Sequence, residues 1–370
     1  MIRLKRGKTV MGENIFDRQE VYFEKICKDI GDISDRLGDR ISKEIYANKL
    51  MYSITNDVTY LRHIFDILDE EWDLLPDFNS HNNQPKVIFG CGRYGKFIKK
   101  CFPEVDWKCY VDNRALPDMV VEELPVISVE ELRQMYPDAY IVVSPRYDYE
   151  AIEEQLKSNS FMEKDIYLYG EKQDFLESKA YFDLPYLEKC CNEVFVDAGV
   201  LDGESSLGFI RWSGGEYRHI HMFEPNVNLH VSIHSNMRAT GNKYTLHSEG
   251  LWNCKDSMGF MVDEKHLPGA KVVDCSYKSD VHVNVIDLDT MLQGEEVTFI
   301  KMDIEGAEKQ AIEGAKKTIQ KYHPKLAISV YHKKSDLFII PRTILSIDPE
   351  YKFYIRHYCL SAGDTVLYAI

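Results

Sequence analysis

Twice in this chain a short apolar run enters a glycine-rich turn and then a helical pattern. Lys86-Val87-Ile88-Phe89 runs into Gly90-Cys91-Gly92-Arg93-Tyr94-Gly95. Val194-Phe195-Val196 runs into Asp197-Ala198-Gly199-Val200-Leu201-Asp202-Gly203. A buried strand, a turn that uses glycine and a helix open a parallel α/β sheet, so the pattern predicts two α/β units. The length agrees, because 370 residues fit a prior of about one domain per 150 residues.

Further apolar runs extend both units. Strands are expected at Trp107–Val111, Ala139–Ser144 and Ile166–Tyr169 in the first, and at His219–Phe223, Thr298–Met302 and Leu326–Val330 in the second. The runs Tyr351–Arg356 and Thr365–Ile370 lie close enough together to pair antiparallel. Residues 14 to 75 carry no proline and show apolar residues at helical spacing, as in Tyr60–Leu68. The polar stretch Asn79–Pro85 reads as a linker. The expected organisation is a helical segment over 1–83, a Rossmann-like unit over 84–175 and a second such unit over 185–370. The N-terminal helices would serve homodimerisation or docking between domains.

Composition limits the function. Hydrophobic residues are 44% and charged residues 28%, as in ordinary globular chains, and no apolar run approaches the ~18 residues of a membrane span. The basic start, Met1–Val10, has no apolar segment after it, so no signal peptide is expected. The net charge is −15 and neither half is basic, which argues against nucleic acid as the partner. Nine scattered cysteines without a Cys-x-x-Cys pair fit a reducing compartment, with the cytoplasm as the expected location.

The first glycine turn has the Gly90-x-Gly92-x-x-Gly95 spacing between strand and helix, with Asp112 at the end of the next strand. Such turns admit a pyrophosphate, and such an acid accepts a ribose hydroxyl. The unit resembles the nucleotide-binding front of sugar-modifying enzymes through this turn and Asp112. No Tyr-x-x-x-Lys pair supplies reductase chemistry. Gly90, Gly92, Gly95 and Asp112 are thus a candidate second nucleotide site, against the alternative of a scaffold that binds nothing.

The second turn is acidic. Asp197 and Asp202 suit a cationic ligand better than a pyrophosphate. S-adenosylmethionine is such a ligand, with its sulfonium, ammonium and ribose. Glu224, ending the next strand, has two oxygens for the ribose hydroxyls. Open α/β sheets bind ligands at the carboxyl ends of their strands, where all these residues lie.

Phe195–Gly199, Glu224-Pro225, Gly250-Leu251-Trp252 and the block Phe299–Glu308 resemble the FkbM family of S-adenosylmethionine-dependent methyltransferases. Val285–Asp289 resembles that family's Thr-Leu-Asp-Asp stretch, with Ile-Asp in place of its first residues. The resemblance covers residues 190 to 370. It implies a class I methyltransferase fold, seven-stranded with the last strand antiparallel, and O-methylation of sugars or natural products. The cofactor-binding residues expected are Asp197, Ala198, Gly199, Asp202, Gly203, Ser205, Glu224, Pro225, Gly250, Leu251 and Asp303.

A hydroxyl acceptor needs a proton acceptor or a metal beside it. Asp303, Glu305 and His332 are the catalytic candidates, with His332 and then His357 as general base. Asp303 has three open roles: holding the methionine part, binding a divalent metal, or structure. Whether a metal takes part is open. Glu305 also reads as a cap of the following helix. His219 and His221 read as packing on one strand face, and His230 and His234 as an exposed helix face. Residues 315–357 hold nine basic and three acidic side chains, a region suited to an anionic acceptor or to a solvated helix face.

The expected partner is a small-molecule or glycan hydroxyl acceptor, with a sugar nucleotide among the candidates. The alternatives are a non-catalytic sugar-nucleotide-binding protein of polysaccharide assembly and an N-methyltransferase. Against the latter, Asp303-Ile304-Glu305-Gly306 stands where DNA amino-methylating enzymes carry Asn/Asp-Pro-Pro-Tyr.

Overall fold

The structure, a computed structural model, describes residues 15–241, 243–261, 271–273 and 281–370. The basic start, Met1–Val10, lies outside the described residues, as do residues 274–280. Three helices come first among the described residues, at Ile15–Asp35, Arg40–Thr55 and Thr59–Trp72. The second begins at Asp39, whose carboxylate accepts the Ser42 N–H at 2.8 Å.

The first sheet contains β1 (Lys86–Phe89), β2 (Trp107–Val111), β3 (Val120–Val121), β4 (Leu124–Ile127), β5 (Tyr140–Val143) and β6 (Ile166–Leu168). Its order is β3-β4-β2-β1-β5-β6, parallel except for the β3–β4 hairpin. Chain direction switches at β1, with β2 on one side and β5 on the other.

The main sheet begins with β7 (Glu193–Ala198), β8 (Tyr217–Phe223) and β9 (Tyr244–His247). A smaller sheet of β10 (Gly250–Leu251), β11 (Asp256–Met261), β12 (Lys271–Val273) and β13 (Val281–Ile286) follows. The main sheet resumes with β14 (Phe299–Met302), β15 (Lys325–Ser329), β16 (Phe353–His357) and β17 (Thr365–Ala369). Its order is β16-β17-β15-β14-β7-β8-β9, and β17 runs antiparallel to both neighbours. This is the seven-stranded architecture expected. β7 and β14 are its central pair, with Lys301 opposite Asp197 and Met302 opposite Ala198.

The N-terminal helices dock within the chain. Leu37 forms a parallel bridge to Phe353, and the Arg356 guanidinium donates to Asp39 Oδ2 at 2.6 Å. Ile45, Leu61, Ile64 and Phe65 are no more than 2% exposed and share one core with Phe353, Ile355 and Leu360. Burying each such side chain is worth roughly 1.5–3 kcal/mol, so these helices are integral to the edge of the main sheet. The first α/β unit joins the same core: Tyr169 donates to the Leu360 carbonyl at 2.7 Å, and Leu360 N–H donates to Gln173 at 2.8 Å. Among the described residues, no helix is long and apolar enough to cross a membrane.

Candidate active site at the carboxyl edge of the main sheet

Asp197 ends β7 with its carboxylate turned inward. It is fully buried, accepts hydroxyl hydrogen bonds from Ser205 at 2.7 Å and Ser206 at 2.6 Å, and lies 3.1 Å from the Lys301 ammonium. Lys301, itself 2% exposed, also donates to the Gly199 carbonyl at 2.6 Å. The expectation that Asp197 faces a cationic ligand is therefore revised: Lys301 already balances its charge, and the pair fixes the turn from beneath. Ser205 belongs to the same support.

Gly199 has φ +78°, and a Cβ there would sit 1.8 Å from the Asp303 carbonyl oxygen. Only glycine lets the two central turns approach this closely. Gly203, at φ +94°, precedes the helix Glu204–Ser213, and Asp202 accepts the Glu204 N–H at 3.0 Å while staying exposed. Ala198 is buried beneath the turn, and Pro225 is half-buried.

Glu224 follows β8 and is 7% exposed. Its Oε2 accepts the Leu201 N–H at 3.1 Å and its Oε1 the Asn226 N–H at 2.8 Å. Burial raises its pKa, and the backbone donors only partly offset this. Each oxygen keeps a lone pair for a further donor. Leu201 is held at φ +56° and stays exposed at the turn. His230, expected on an exposed helix face, instead hydrogen-bonds the Glu224 carbonyl at 2.8 Å. His234 meets the Tyr244 hydroxyl at 2.9 Å.

Gly250 and Leu251 are buried in β10, paired in parallel with Val285 and Ile286 of β13. Leu251 shares the core of Ala198, Phe223 and Met302. The pair therefore supports the floor of this edge.

Asp303 follows β14. Tyr181 donates to its Oδ2 at 2.7 Å, Tyr331 to its Oδ1 at 3.2 Å, and His332 Nε2 lies 3.3 Å from Oδ1. Burial pushes Asp303 up, but Lys301, His332 and the hydroxyls of Tyr181 and Ser329 outweigh it and hold the carboxylate below its ordinary range. Tyr181 comes from the segment joining the two α/β units, at φ +70°; it belongs to no motif in the sequence.

His332 is bracketed by acids. Its Nδ1 lies 2.9 Å from Glu308 Oε1, and its Nε2 lies 3.9 Å from Glu305 Oε2 as well as against Asp303. Burial opposes protonation, but Glu308, Asp303 and Glu305 prevail and push His332 up to about 9. These carboxylates favour the charged form of the ring, and both of its nitrogens face acids. The expectation for His357 is corrected. It is fully buried, bonded to Thr365 at 2.9 Å and the Ser361 carbonyl at 3.0 Å, and stacked near Phe65.

Glu305 adopts φ +55° within the turn, while the N-cap of the helix Glu308–Gly314 is Ala307, not Glu305. Glu308 organises that turn, accepting the N–H groups of Ile304 at 3.0 Å and Gly306 at 3.3 Å. Asp303, Glu308 and His332 each bring a ligand atom within 4.8 Å of the others, close enough to share a divalent ion.

His219 and His221 lie along β8, as expected of packing residues. His219 meets Thr245 at 2.9 Å, and His221 meets His247 at 3.2 Å and Glu295 at 3.2 Å. Among the nine basic side chains of 315–357, Lys325 pairs with Glu193, Arg342 with Asp29 and Arg356 with Asp39, and Lys333 donates to the Gly306 carbonyl. In the first unit, Gly90, Gly92, Gly95 and Asp112 come together at the carboxyl edge of their own sheet, lining or flanking an open cleft.

Residues 197–353 match the family model of the methyltransferase FkbM domain. This stretch is a methyltransferase FkbM domain. It contains the Asp197 turn, Glu224, Asp303 and His332. No curated protein matches the sequence. Among solved structures, the chain is similar to the methyltransferase FkbM of Methylobacillus flagellatus KT, with 21% identity over 78% of this chain and 90% of that one and a TM-score of 0.49. It is also similar to Aeropyrum pernix fibrillarin with natively bound S-adenosylmethionine, at 11% identity over 53% and 74% of the two chains and a TM-score of 0.33. An rRNA methylase from Streptococcus thermophilus aligns at 12% identity over 54% and 93%, with a TM-score of 0.32.

The residues fit the cofactor. The Gly199 turn has no side chain between its backbone and Asp303, and Glu224 offers a desolvated carboxylate two strands' width from Asp303 across the central β7. Both are anionic acceptors suited to hydroxyl and ammonium donors.

Proposed function

We propose that the FkbM domain transfers the methyl group of S-adenosylmethionine to a hydroxyl of a carbohydrate, a sugar nucleotide or a related natural product, in the cytoplasm. The observation that carries this reading is the Asp303 carboxylate, faced by two tyrosine hydroxyls and the His332 ring. When bound, the cofactor supplies an electrophilic methyl group. The chain's residues align an acceptor and receive its proton.

Hydroxyl acidity rises sharply as the oxygen bonds to carbon, so a carboxylate of low pKa suffices as proton acceptor. Asp303 takes that role, and Glu305 lies on the same turn to bind a second hydroxyl. His332 acts through them, holding both carboxylates in place and ionised. Tyr331 and Tyr181 orient the Asp303 oxygens. Glu224 binds the ribose, and the Gly199 and Leu201 backbone flanks the cofactor. The acidic character of the acceptor side suits a neutral polyhydroxyl compound better than a polyanion such as RNA.

The test is incubation with S-adenosylmethionine labelled in its methyl group and a panel of sugars and sugar nucleotides, with products read by mass spectrometry and carbon NMR. A methyl ether lost in Asp303→Asn supports the reading. Transfer to nitrogen only, or to RNA only, contradicts it.

A further inference from the structure

The carboxyl edge of the first α/β unit opens into a cleft of about 610 Å³. The cleft lies at the switch point of its sheet, between the ends of β1, β2 and β5, where α/β folds place ligands. Its lining includes Gly92, Asp112, Asn113, Arg114, Arg146 and Tyr147.

The glycines divide in an informative way. A Cβ on Gly90 would meet the Ser144 hydroxyl at 2.7 Å, and one on Gly95 would meet the Gly90 carbonyl oxygen at 2.0 Å. The fold itself requires both. Gly92 differs: its φ is −80°, which any residue adopts, and nothing lies within 4 Å of the place a Cβ would take. No packing inside the protein calls for glycine there, and its bare backbone faces the cleft. Gly92 is also the N-cap of the helix Arg93–Cys101, whose first N–H groups point the same way.

The other lining groups complement an anion joined to a flat polar body. The Arg114 side chain is 86% exposed and reaches over the cleft from Asp112. Arg93 adds a second cation. Asp112 is 7% exposed and accepts N–H groups from Arg114 at 2.9 Å and Cys91 at 3.3 Å, so it is fixed and ionised beside the turn. Tyr147 lines the cleft at 73% exposure, an aromatic ring with the Arg146 guanidinium 5.2 Å from its centre.

We infer that this cleft is a second ligand site, separate from the methyl-donor site, that binds a nucleoside diphosphate group. The diphosphate lies against Gly92 and the two arginines, the ribose hydroxyls reach Asp112, and the base stacks on Tyr147.

The test is calorimetric titration of the full-length protein with UDP, ADP and inorganic pyrophosphate, with and without saturating S-adenosylmethionine. The expected result is saturable binding of at least one nucleoside diphosphate, at one per chain and unaffected by S-adenosylmethionine. Gly92→Asp, which places a carboxylate in the cleft, weakens it tenfold or more, and Arg114→Glu does the same through an exposed position that does not disturb folding. Both variants keep wild-type S-adenosylmethionine binding. The inference is overturned if neither nucleotide saturates, if both variants bind as wild type does, if pyrophosphate binds as tightly as the nucleotides, or if S-adenosylmethionine displaces them.

Discussion

Replacing Lys301 by methionine tests the idea that a buried ion pair, not direct ligand contact, is what Asp197 contributes. The ammonium lies 3.1 Å from Asp197 Oδ1, with side chains 3% and 0% exposed. At an effective dielectric constant near 20 the attraction is about 5 kcal/mol. Removing one partner of a buried pair costs roughly 3–5 kcal/mol, because the other charge is left without compensation. Methionine keeps the stem's packing, so the loss is electrostatic rather than steric. It also releases the Gly199 carbonyl, which Lys301 holds at 2.6 Å. Urea unfolding followed by the fluorescence of the four tryptophans reads the cost. Lys301→Met should lose about 3–5 kcal/mol, and the double variant Lys301→Met/Asp197→Asn should lose clearly less than the two single losses added. A single-variant loss below about 1 kcal/mol, or strictly additive losses, would refute the reasoning.

Gly199→Ala puts a Cβ 1.8 Å from the Asp303 carbonyl at a positive φ, so S-adenosylmethionine binding should disappear in a protein destabilised by at least ~2 kcal/mol; wild-type binding would contradict the turn geometry. His332 gives a pH signature. Its folded pKa of about 9 exceeds the ordinary 6.5, so its stabilisation is complete below about pH 6.5 and is lost as pH rises through about 9, some ~3 kcal/mol in all. His332→Gln should flatten the fall in stability across that window, and an unchanged slope would remove the imidazolium from the account. Deleting residues 1–75 strips Ile45, Leu61, Ile64 and Phe65 from the edge of the main sheet, and the remaining chain should express as aggregate; a monomeric, cooperatively melting product would show those helices to be dispensable.

The strands were legible where apolar runs are continuous and both faces are buried. β1, β2, β5, β7, β8 and β14 to β17 fall within a few residues of expectation. Polar or short strands such as β3, β9 and β10 carry no such run, and they form because a neighbour supplies the ladder. The helical periodicity of the N-terminal segment was legible, but its docking on β16 was not, because an amphipathic stripe does not name what covers it. At the site, glycine turns and strand-end acids announced Gly199, Glu224 and Asp303. Lys301 stood inside the quoted block without announcing itself, since a lone lysine in a strand more often reaches solvent than a buried acid. Tyr181 gave no signal, because its role depends on where a connecting segment passes. His332 was found, but the acids around it were not joined to it. Its protonation is set by Glu308 and Asp303, at sequence distances that pattern reading does not join.

The most direct test of a methyltransferase site at this sheet edge is calorimetric titration of S-adenosylmethionine into wild type and Glu224→Gln. Glutamine keeps the size of the side chain but loses a charged acceptor, worth ~1.5–3 kcal/mol for a hydrogen bond to a charged group, or about 10- to 100-fold in affinity. The account predicts one site per chain in wild type and at least tenfold weaker binding in the variant. Absence of binding in wild type, or equal binding by both proteins, would contradict it.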